Sequence, residues 1–202
     1  MCIISRFVHI CRMIPLYLHG YYHFHTRVAL PLNARTGGEK YIHIGKQCGF
    51  STHLWLQAYD TYKGTQLQHF KPEIIIGDRV SIGEFVHIGC ITRIDIGNDV
   101  LMGSKIYITD HNHGNYSGVN QSSPFQPPLK RCLLEGKPIK IGDRVWIGEF
   151  VTILPGVTIG EGTIIGTHST VTHDIPPNSI AVGSPARVIK RWNELQSKWI
   201  SV

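Results

Sequence analysis

The segment Asp110-His111-Asn112-His113 carries the side chains of this chain that are best suited to acid–base chemistry. Histidine takes up and releases a proton near neutral pH, so an imidazole beside a substrate hydroxyl can act as a general base. A histidine next to Asp and Asn can also serve only to satisfy the hydrogen bonds of a turn. Earlier in the chain, Glu84 and His87 offer a second carboxylate and a second imidazole. These two could hold hydroxyl groups of a bound molecule, orient His111, or face solvent.

The elements that must position these residues repeat every six positions. Aliphatic side chains follow one another at this interval, and glycine comes after four of them; they are Ile141, Ile147, Ile153, Ile159, Ile165 and Val171. A period of six fits neither a helix of 3.6 residues per turn nor an alternating strand. It predicts short strands joined by corners, three hexapeptides to each coil, with coils stacked about 4.8 Å apart.

The same pattern is present in the first half of the chain. It runs through Ile76, Ile82 and Ile88, resumes two residues out of phase at Ile96, Met102 and Ile108, and predicts an isolated coil at Ile44. We therefore expect an all-β parallel β-helix over residues 41–186, preceded by an amino-terminal arm at residues 1–40. An antiparallel β-sandwich is the less favoured alternative.

Two segments depart from the repeat. Residues 109–138 lack it and are rich in Ser, Asn and Pro, which predicts a long loop inserted between coils. Loops of this length are usually functional or disordered. At residues 187–202, apolar side chains recur at helical spacing, at Val188, Trp192, Leu195 and Trp199. This spacing predicts a short C-terminal α-helix that folds back over the last coil and covers its strand edge.

Composition narrows the class of protein. The five cysteines are odd in number and include no C-x-x-C pair, so a disulfide framework or zinc knuckle is not indicated and a reducing cytoplasm is expected.

Residues 1–18 are apolar but interrupted by Arg6, His9 and Arg12, unlike a signal peptide or membrane span. Packing of this arm against the stack or a subunit is favoured over peripheral membrane contact. The net charge of +6 suits an anionic ligand, but the dispersed basic residues do not indicate nucleic acid.

Two further motifs carry a family resemblance. They are the run from Ile141 to Gly148 and the tail from Asp174 to Lys190, which contains Gly183-Ser184-Pro185-Ala186. With the repeats and the histidine at the root of a long loop, residues 76 to 191 resemble the hexapeptide-repeat acetyltransferases. Within that family the chain is most similar to the maltose and galactoside acetyltransferases and to O-acetyltransferases of bacterial surface polysaccharides. The resemblance implies a left-handed coil, a homotrimer with sites between subunits, acetyl-coenzyme A as the acetyl donor, and no metal.

The resemblance also implies roles for individual residues. His111 matches the family's catalytic histidine and would act as general base. Residues implied for the coenzyme A groove are Trp146, Glu149, Thr167, Thr172, His173, Arg187 and Lys190. Acceptor binding is expected from Glu84, His87, Asp110 and His113. The coil before the histidine reads Gly83 to Cys90, which departs from the asparagine and aspartate that the sugar enzymes place there, so the acceptor is in doubt while the reaction type stands.

The sequence thus predicts acetyl-coenzyme A-dependent O-acetylation of a sugar hydroxyl in an O-antigen or capsule precursor. The first alternative is an acetyltransferase acting on a free small sugar or an antibiotic. A γ-type carbonic anhydrase would need zinc on His87, His111 and His113, but their spacing of 24 and 2 residues does not match that family. A non-catalytic β-helix binding protein is also open, although the outward residues are too mixed for a regular array.

Overall fold

Short strands and tight corners alternate along most of the chain in the computed structural model, which describes residues 3–202 and the side chains of residues 11–202. Cys2 lies outside the described residues, and so do the side chains of Arg6 and His9. The described part has one α-helix, α1 (Ile3–Phe24), two 3-10 helices (Glu39–Tyr41 and Pro128–Lys130) and 21 strands. The strands are β1 (Arg35–Gly37), β2 (Ile42–Ile44), β3 (Gly49–Phe50), β4 (Trp55–Ala58), β5 (Thr61–Lys63), β6 (Leu67–His69), β7 (Ile74–Ile76), β8 (Ser81–Ile82), β9 (His87–Cys90), β10 (Ile94–Ile96), β11 (Leu101–Met102), β12 (Tyr107–Thr109), β13 (Ile139–Ile141), β14 (Trp146–Ile147), β15 (Thr152–Ile153), β16 (Thr158–Ile159), β17 (Ile164–Ile165), β18 (Thr170–Val171), β19 (Ser179–Val182), β20 (Arg187–Asn193) and β21 (Lys198–Ser201).

Successive strands of the stack belong to three different sheets, as expected for a coil with three faces. The first face is β1-β4-β9-β12-β15-β18, the second is β2-β7-β10-β13-β16, and the third is β3-β8-β11-β14-β17-β19. Pairing within each face is parallel from coil to coil. The prediction of a mostly β chain with parallel sheets stacked as in a β-helix is therefore confirmed.

The six-residue markers stack on one another and fill the interior. Ile82 pairs with Met102, and Met102 pairs with Ile147 in the next coil. All three side chains are buried, and each contributes about 1.5–3 kcal/mol by leaving water. The coil at Ile44 is not isolated as predicted, because β2, β3 and β4 pair with β7, β8 and β9.

The glycine after a marker allows close approach of the next coil. A Cβ placed on Gly77 would lie 2.7 Å from the carbonyl carbon and oxygen of Gly97, which is too close for any side chain. Gly49, on the first coil, has open space in the same test. The glycines of the repeat thus set how tightly the coils pack.

The change of phase in the repeat has a structural cause. Eight residues separate Ile88 from Ile96, whereas six separate Ile153 from Ile159 at the equivalent corner. The two additional residues fall in the turn between β9 and β10, which contains Ile91, Thr92 and Arg93. We call this turn the expanded corner.

The predicted C-terminal helix is wrong. Residues 187–201 form the hairpin β20–β21, and β20 pairs antiparallel with β19 at the edge of the third face. Trp192 lies opposite Trp199, with ring centroids 5.5 Å apart. The spacing that suggested one helical face is instead a cross-strand pair, so the edge is covered by strands.

Two elements outside the stack were not predicted. The amino-terminal arm contains the helix α1. Strands β5 and β6 form an antiparallel hairpin between the first and second coils. In the described part of the chain, no helix combines the length and apolar character needed to cross a bilayer.

Candidate functional site

His111 lies just after β12, where the chain leaves the first face and enters the long loop. Its Nδ1 is 2.9 Å from Oδ1 of Asp110 and 3.1 Å from Oγ1 of Thr109. The side chain of His111 is 11% exposed and that of Asp110 is fully buried. An ionised carboxylate only accepts hydrogen bonds, so this contact places the proton on Nδ1 and leaves Nε2 of His111 with its lone pair.

Asp110 is held by the backbone of the preceding coil. Its Oδ2 accepts hydrogen bonds from the N–H groups of Thr92 at 2.7 Å and Arg93 at 3.0 Å, and its Oδ1 accepts from Ile91 at 3.0 Å. These donors are the expanded corner. Several amide donors compensate a buried carboxylate for the water it loses. The carboxylate is therefore fixed in place with Oδ1 toward Nδ1 of His111, and the role of Asp110 in acceptor binding stays a prediction.

Cys90 adds a thiol to the same cluster. Its Sγ donates to Oδ2 of Asp110 at 3.3 Å. Burial, and next the negative charge of Asp110, raise the pKa of the Cys90 thiol far above its ordinary value. The thiol stays protonated and acts here as a hydrogen-bond donor.

A cavity of about 240 Å³ opens on one side of His111, and we call it the aromatic cavity. The first face supplies half of its lining residues, and the long loop and the β5–β6 hairpin cover it. Its lining residues are Trp55, Tyr59, Tyr62, His87, Gly89, Tyr107, Thr109, His111, His113 and Leu133. The hairpin and the loop are joined by the side-chain amide of Gln68, which exchanges two hydrogen bonds with the backbone of Leu133.

His87 is fixed between two aromatic rings in this cavity. Its ring stacks on Trp55 at 4.1 Å and meets Tyr107 edge-on at 5.2 Å. Burial, with a smaller effect from His111, lowers the pKa of His87, so the ring is favoured in its neutral form. Its Nε2 is buried and has no hydrogen-bond partner among residues 3–202. Across Gly89, this Nε2 and Cε1 of His111 lie 3.6 Å and 3.7 Å from the point where a Cβ would be.

His113 also faces the aromatic cavity. Its Nδ1 is 3.2 Å from the hydroxyl of Tyr62, and the pKa of His113 is lowered, first by burial and then by His111. Two of the predicted acceptor residues, His87 and His113, thus lie beside His111. Glu84 does not, because it lines a separate cavity with Leu16 at the amino-terminal end.

A second cavity of about 260 Å³ also has His111 in its lining, and we call it the polar cavity. The loop and two later corners of the stack line it, with Asp110, His111, Asn112, Gly114, Tyr116, Ser117, Leu134, Glu135, Lys137, Leu154, Pro155 and Thr172. Of the residues predicted for coenzyme A, Thr172 is part of this lining, and His173 adjoins it through a 2.7 Å contact between its Nδ1 and the Thr172 hydroxyl. His111 therefore lines both the aromatic and the polar cavity.

The remaining residues predicted for coenzyme A lie elsewhere in the single chain. Glu149 and Thr167 are at the corners between the third and first faces, and Trp146 is exposed on the third face. Arg187 and Lys190 are on β20. None of these five lines a cavity with His111.

A metal site is not formed by the histidines of the aromatic cavity. Over residues 3–202, no group of three or more His, Cys, Asp or Glu side chains is close enough to hold one ion. His87, His111 and His113 share a cavity, but His111 is held by Asp110 and His113 contacts Tyr62.

Sequence reasoning missed the aromatic wall of the site. Trp55, Tyr59 and Tyr62 come from β4, the turn after it and β5, a region where only an isolated coil had been expected. Their signal was an aromatic run that begins at Trp55 and continues, with Tyr59 and Tyr62, into a second lapse of the repeat between Leu56 and Ile74.

Comparisons with known proteins agree with this architecture. The family described as bacterial transferase hexapeptide (six repeats) matches residues 138–173. An Escherichia coli (strain K12) protein provisionally named lipopolysaccharide biosynthesis O-acetyl transferase WbbJ is 44% identical over 127 residues, covering 62% of this chain and 64% of that protein. This chain thus spans somewhat less than two thirds of that relative's length.

Two solved structures are also similar. AntD, an N-acyltransferase from Bacillus cereus in complex with dTDP and 3-hydroxybutyryl-CoA, has a TM-score of 0.68 over 89% of both chains at 20% identity, which shows the shared fold alone. A maltose O-acetyltransferase from Clostridium difficile 630 is 32% identical, with a TM-score of 0.48, over 81% of this chain and 65% of that one.

Proposed function

Because the chain belongs to the hexapeptide-repeat acetyltransferases, we propose that it transfers the acetyl group of acetyl-coenzyme A to a sugar hydroxyl. The acceptor we propose is a precursor of a bacterial surface polysaccharide, an O-antigen or a capsule. The observation that carries the proposal is that His111 contacts a buried carboxylate and lines two cavities. A transferase needs a base at the point where its two substrates meet.

In the proposed mechanism, the acceptor hydroxyl lies in the aromatic cavity and the thioester reaches His111 from the polar cavity. Nε2 of His111 takes the hydroxyl proton while the oxygen forms a bond to the thioester carbonyl carbon. The tetrahedral intermediate then collapses, the carbon–sulfur bond breaks, and the imidazolium returns the proton to the thiolate of coenzyme A. Asp110 stabilises the imidazolium that forms between these two steps.

The aromatic cavity suits a sugar ring. The C–H faces of a pyranose are apolar and pack on aromatic rings, while its hydroxyls need fixed hydrogen-bond partners. Trp55, Tyr59 and Tyr107 supply the rings. The unpartnered Nε2 of His87 and the imidazole of His113 supply polar contacts beside His111. The name of the Escherichia coli relative points to the same class of acceptor.

On the donor side we propose a homotrimer of left-handed coils. Thr172 and His173 would line the arm of coenzyme A on the same chain as His111. A neighbouring subunit would bring the corner that carries Glu149 and Thr167 to the polar cavity, because a three-sided prism in a threefold assembly places different edges against each other. In the same proposal, Trp146 lies along the groove, and Arg187 and Lys190 bind the phosphates of coenzyme A.

Substitution of His111 by asparagine tests the proposal. We expect turnover, measured as thiol release from acetyl-coenzyme A, to fall by about 10²–10⁴-fold while coenzyme A affinity by calorimetry stays within about twofold. His43→Asn, an exposed histidine on β2, is the matched control and should leave both quantities unchanged. A near-normal rate in His111→Asn would remove His111 from the mechanism.

The acceptor is identified by comparing candidates in the same assay. Lipid-linked oligosaccharides should support His111-dependent thiol release, whereas free galactosides, maltose and chloramphenicol should support little. Preference for a free galactoside, maltose or chloramphenicol would replace the polysaccharide precursor by a small-molecule acceptor and leave the acetyl transfer standing.

A further inference from the structure

Helix α1 turns an apolar stripe toward solvent. Ile14, Tyr17, Leu18, Tyr21 and Tyr22 are between 37% and 77% exposed, and we call them the outer face of α1. They are three or four residues apart, which places them on one side of a helix. A helix on the surface of a globular domain normally turns polar residues to water, so this face is unusual.

The opposite side of α1 is attached to the protein body. The N–H of Leu30 donates to the carbonyl of Leu16 at 3.0 Å, and Nδ1 of His23 is 3.0 Å from Oε1 of Glu39. A Cβ on Gly20 would lie 2.0 Å from the carbonyl oxygen of Val28, so the helix touches the chain behind it directly. These contacts fix which side of α1 faces outward.

The charged residues before Glu39 in the sequence are all arginines. The sequence contains no Asp or Glu before Glu39, whereas Arg12, Arg27 and Arg35 are arginines within the same stretch. The guanidinium of Arg27 lies 5.6 Å from the ring centre of Tyr17, at the border of the outer face. An apolar face with an arginine at its border and tyrosines among its members matches the boundary between lipid headgroups and acyl chains.

We propose that the outer face of α1 docks on the surface of an anionic phospholipid bilayer, with the helix lying in the plane of that surface. A second copy of this chain fits less well. A symmetric contact through this face would bring Arg27 of one copy toward the same face of the other, with no carboxylate in the arm before Glu39 to offset the two charges. Anionic headgroups supply the charge that the arm lacks.

Cavities with shared lining residues extend from the inner side of α1 toward the proposed site. Leu16 of α1 lines a cavity of about 510 Å³ that shares Asn33 with a neighbouring cavity of about 260 Å³. The second of these shares Trp55 and His87 with the aromatic cavity. We infer from this connection that docking of α1 would place the proposed site near the bilayer. This connection rests on the proposed function, whereas docking itself does not.

Vesicle flotation tests the docking. The probe is full-length protein with vesicles of phosphatidylcholine and phosphatidylglycerol, and with vesicles of phosphatidylcholine alone. We expect the protein to float with the anionic vesicles, less at high salt, and the triple variant Leu18→Ser, Tyr21→Ser, Tyr22→Ser to bind at least about tenfold more weakly. The matched control removes three exposed apolar side chains elsewhere, in Phe125→Ser, Leu129→Ser, Leu195→Ser, and should float like the wild type.

Three results would overturn the docking. They are a wild type that does not float, a triple variant that floats as well as the wild type, and a control that loses binding to the same extent. Light scattering adds a fourth: fewer subunits per particle in the triple variant would mean that the face is buried between copies. Equal melting temperatures confirm that the variants fold. Coenzyme A binding, measured on the same samples, separates failure of docking from failure of the proposed function.

Discussion

Replacing Asp110 with asparagine should inactivate the proposed base without moving it. The Oδ2 position faces the amide donors of Thr92 and Arg93, so the amide oxygen of the new side chain will take that position. The amide nitrogen then occupies the Oδ1 position, 2.9 Å from Nδ1 of His111. Two donors cannot share a hydrogen bond, so Nδ1 must give up its proton and become the acceptor. The proton moves to Nε2, which loses the lone pair that takes the acceptor's proton.

The size of the effect follows from this change of tautomer. Losing a positioned general base, and the charge that stabilises its imidazolium, costs about 10²–10⁴-fold in turnover. Stability should fall by only about 1.5–3 kcal/mol, because charged hydrogen bonds become neutral while the main donors keep an acceptor. Alanine would be a poorer choice, since it leaves the N–H groups of Ile91, Thr92 and Arg93 buried without partners, at about 1–3 kcal/mol each.

Three measurements check this reasoning. Thiol release from acetyl-coenzyme A gives the rate, thermal unfolding gives the stability, and ¹⁵N NMR of the imidazole shows which nitrogen of His111 carries the proton. Asp99→Asn is the control, because Asp99 pairs with Arg79 at the surface, where solvent and salt screen the two charges. A fully active Asp110→Asn, or a His111 ring that keeps its proton on Nδ1, would refute the assigned role.

Two predictions concern packing and pH. Gly77→Ala should lower the free energy of unfolding by about 1–3 kcal/mol, because the new Cβ would meet the backbone of the next coil. Gly49→Ala is the control, because a Cβ at Gly49 has open space around it. Equal losses of melting temperature in the two variants would contradict the packing argument. The pKa of His87 is lowered in the fold, so below about pH 6.5 the unfolded chain binds more protons there and stability falls as pH drops toward the lowered value. His87→Gln should make unfolding stability less dependent on pH between 7 and 5, whereas His43→Gln should not; identical pH profiles for all three proteins would count against this.

The sequence contained enough to predict the stack, because markers such as Ile147 and Ile165 pair directly from coil to coil. It predicted the position of His111 for the same reason, since a lapse in a regular repeat marks where the chain leaves the body. The C-terminal hairpin could not be predicted in this way. Trp192 and Trp199 suit one helical face and a cross-strand pair alike, and the free edge of β19 decides between them.

The surroundings of His111 depend on contacts that are distant in sequence. The carboxylate of Asp110 is bound by amides 17 to 19 residues earlier, and the roof of the aromatic cavity joins Gln68 to Leu133 across 65 residues. Only the stacking of coils brings such groups together. In the sequence, the shift of phase between Ile88 and Ile96 indicated the expanded corner. Only the structure shows that the amides of this corner bind the carboxylate of Asp110.

The anchoring of Asp110 to the expanded corner has a consequence for how relatives of this protein can diverge. His111, the proposed base, is held through Asp110 by the coil stack, at the point where the chain enters the long loop. Substitutions farther along this loop therefore need not displace His111. Loop side chains such as Asn112 and Tyr116 line the polar cavity without contacting the carboxylate. Evolution, or an engineer grafting a loop from another protein, can thus alter which molecules are accepted while the reactive centre is inherited unchanged.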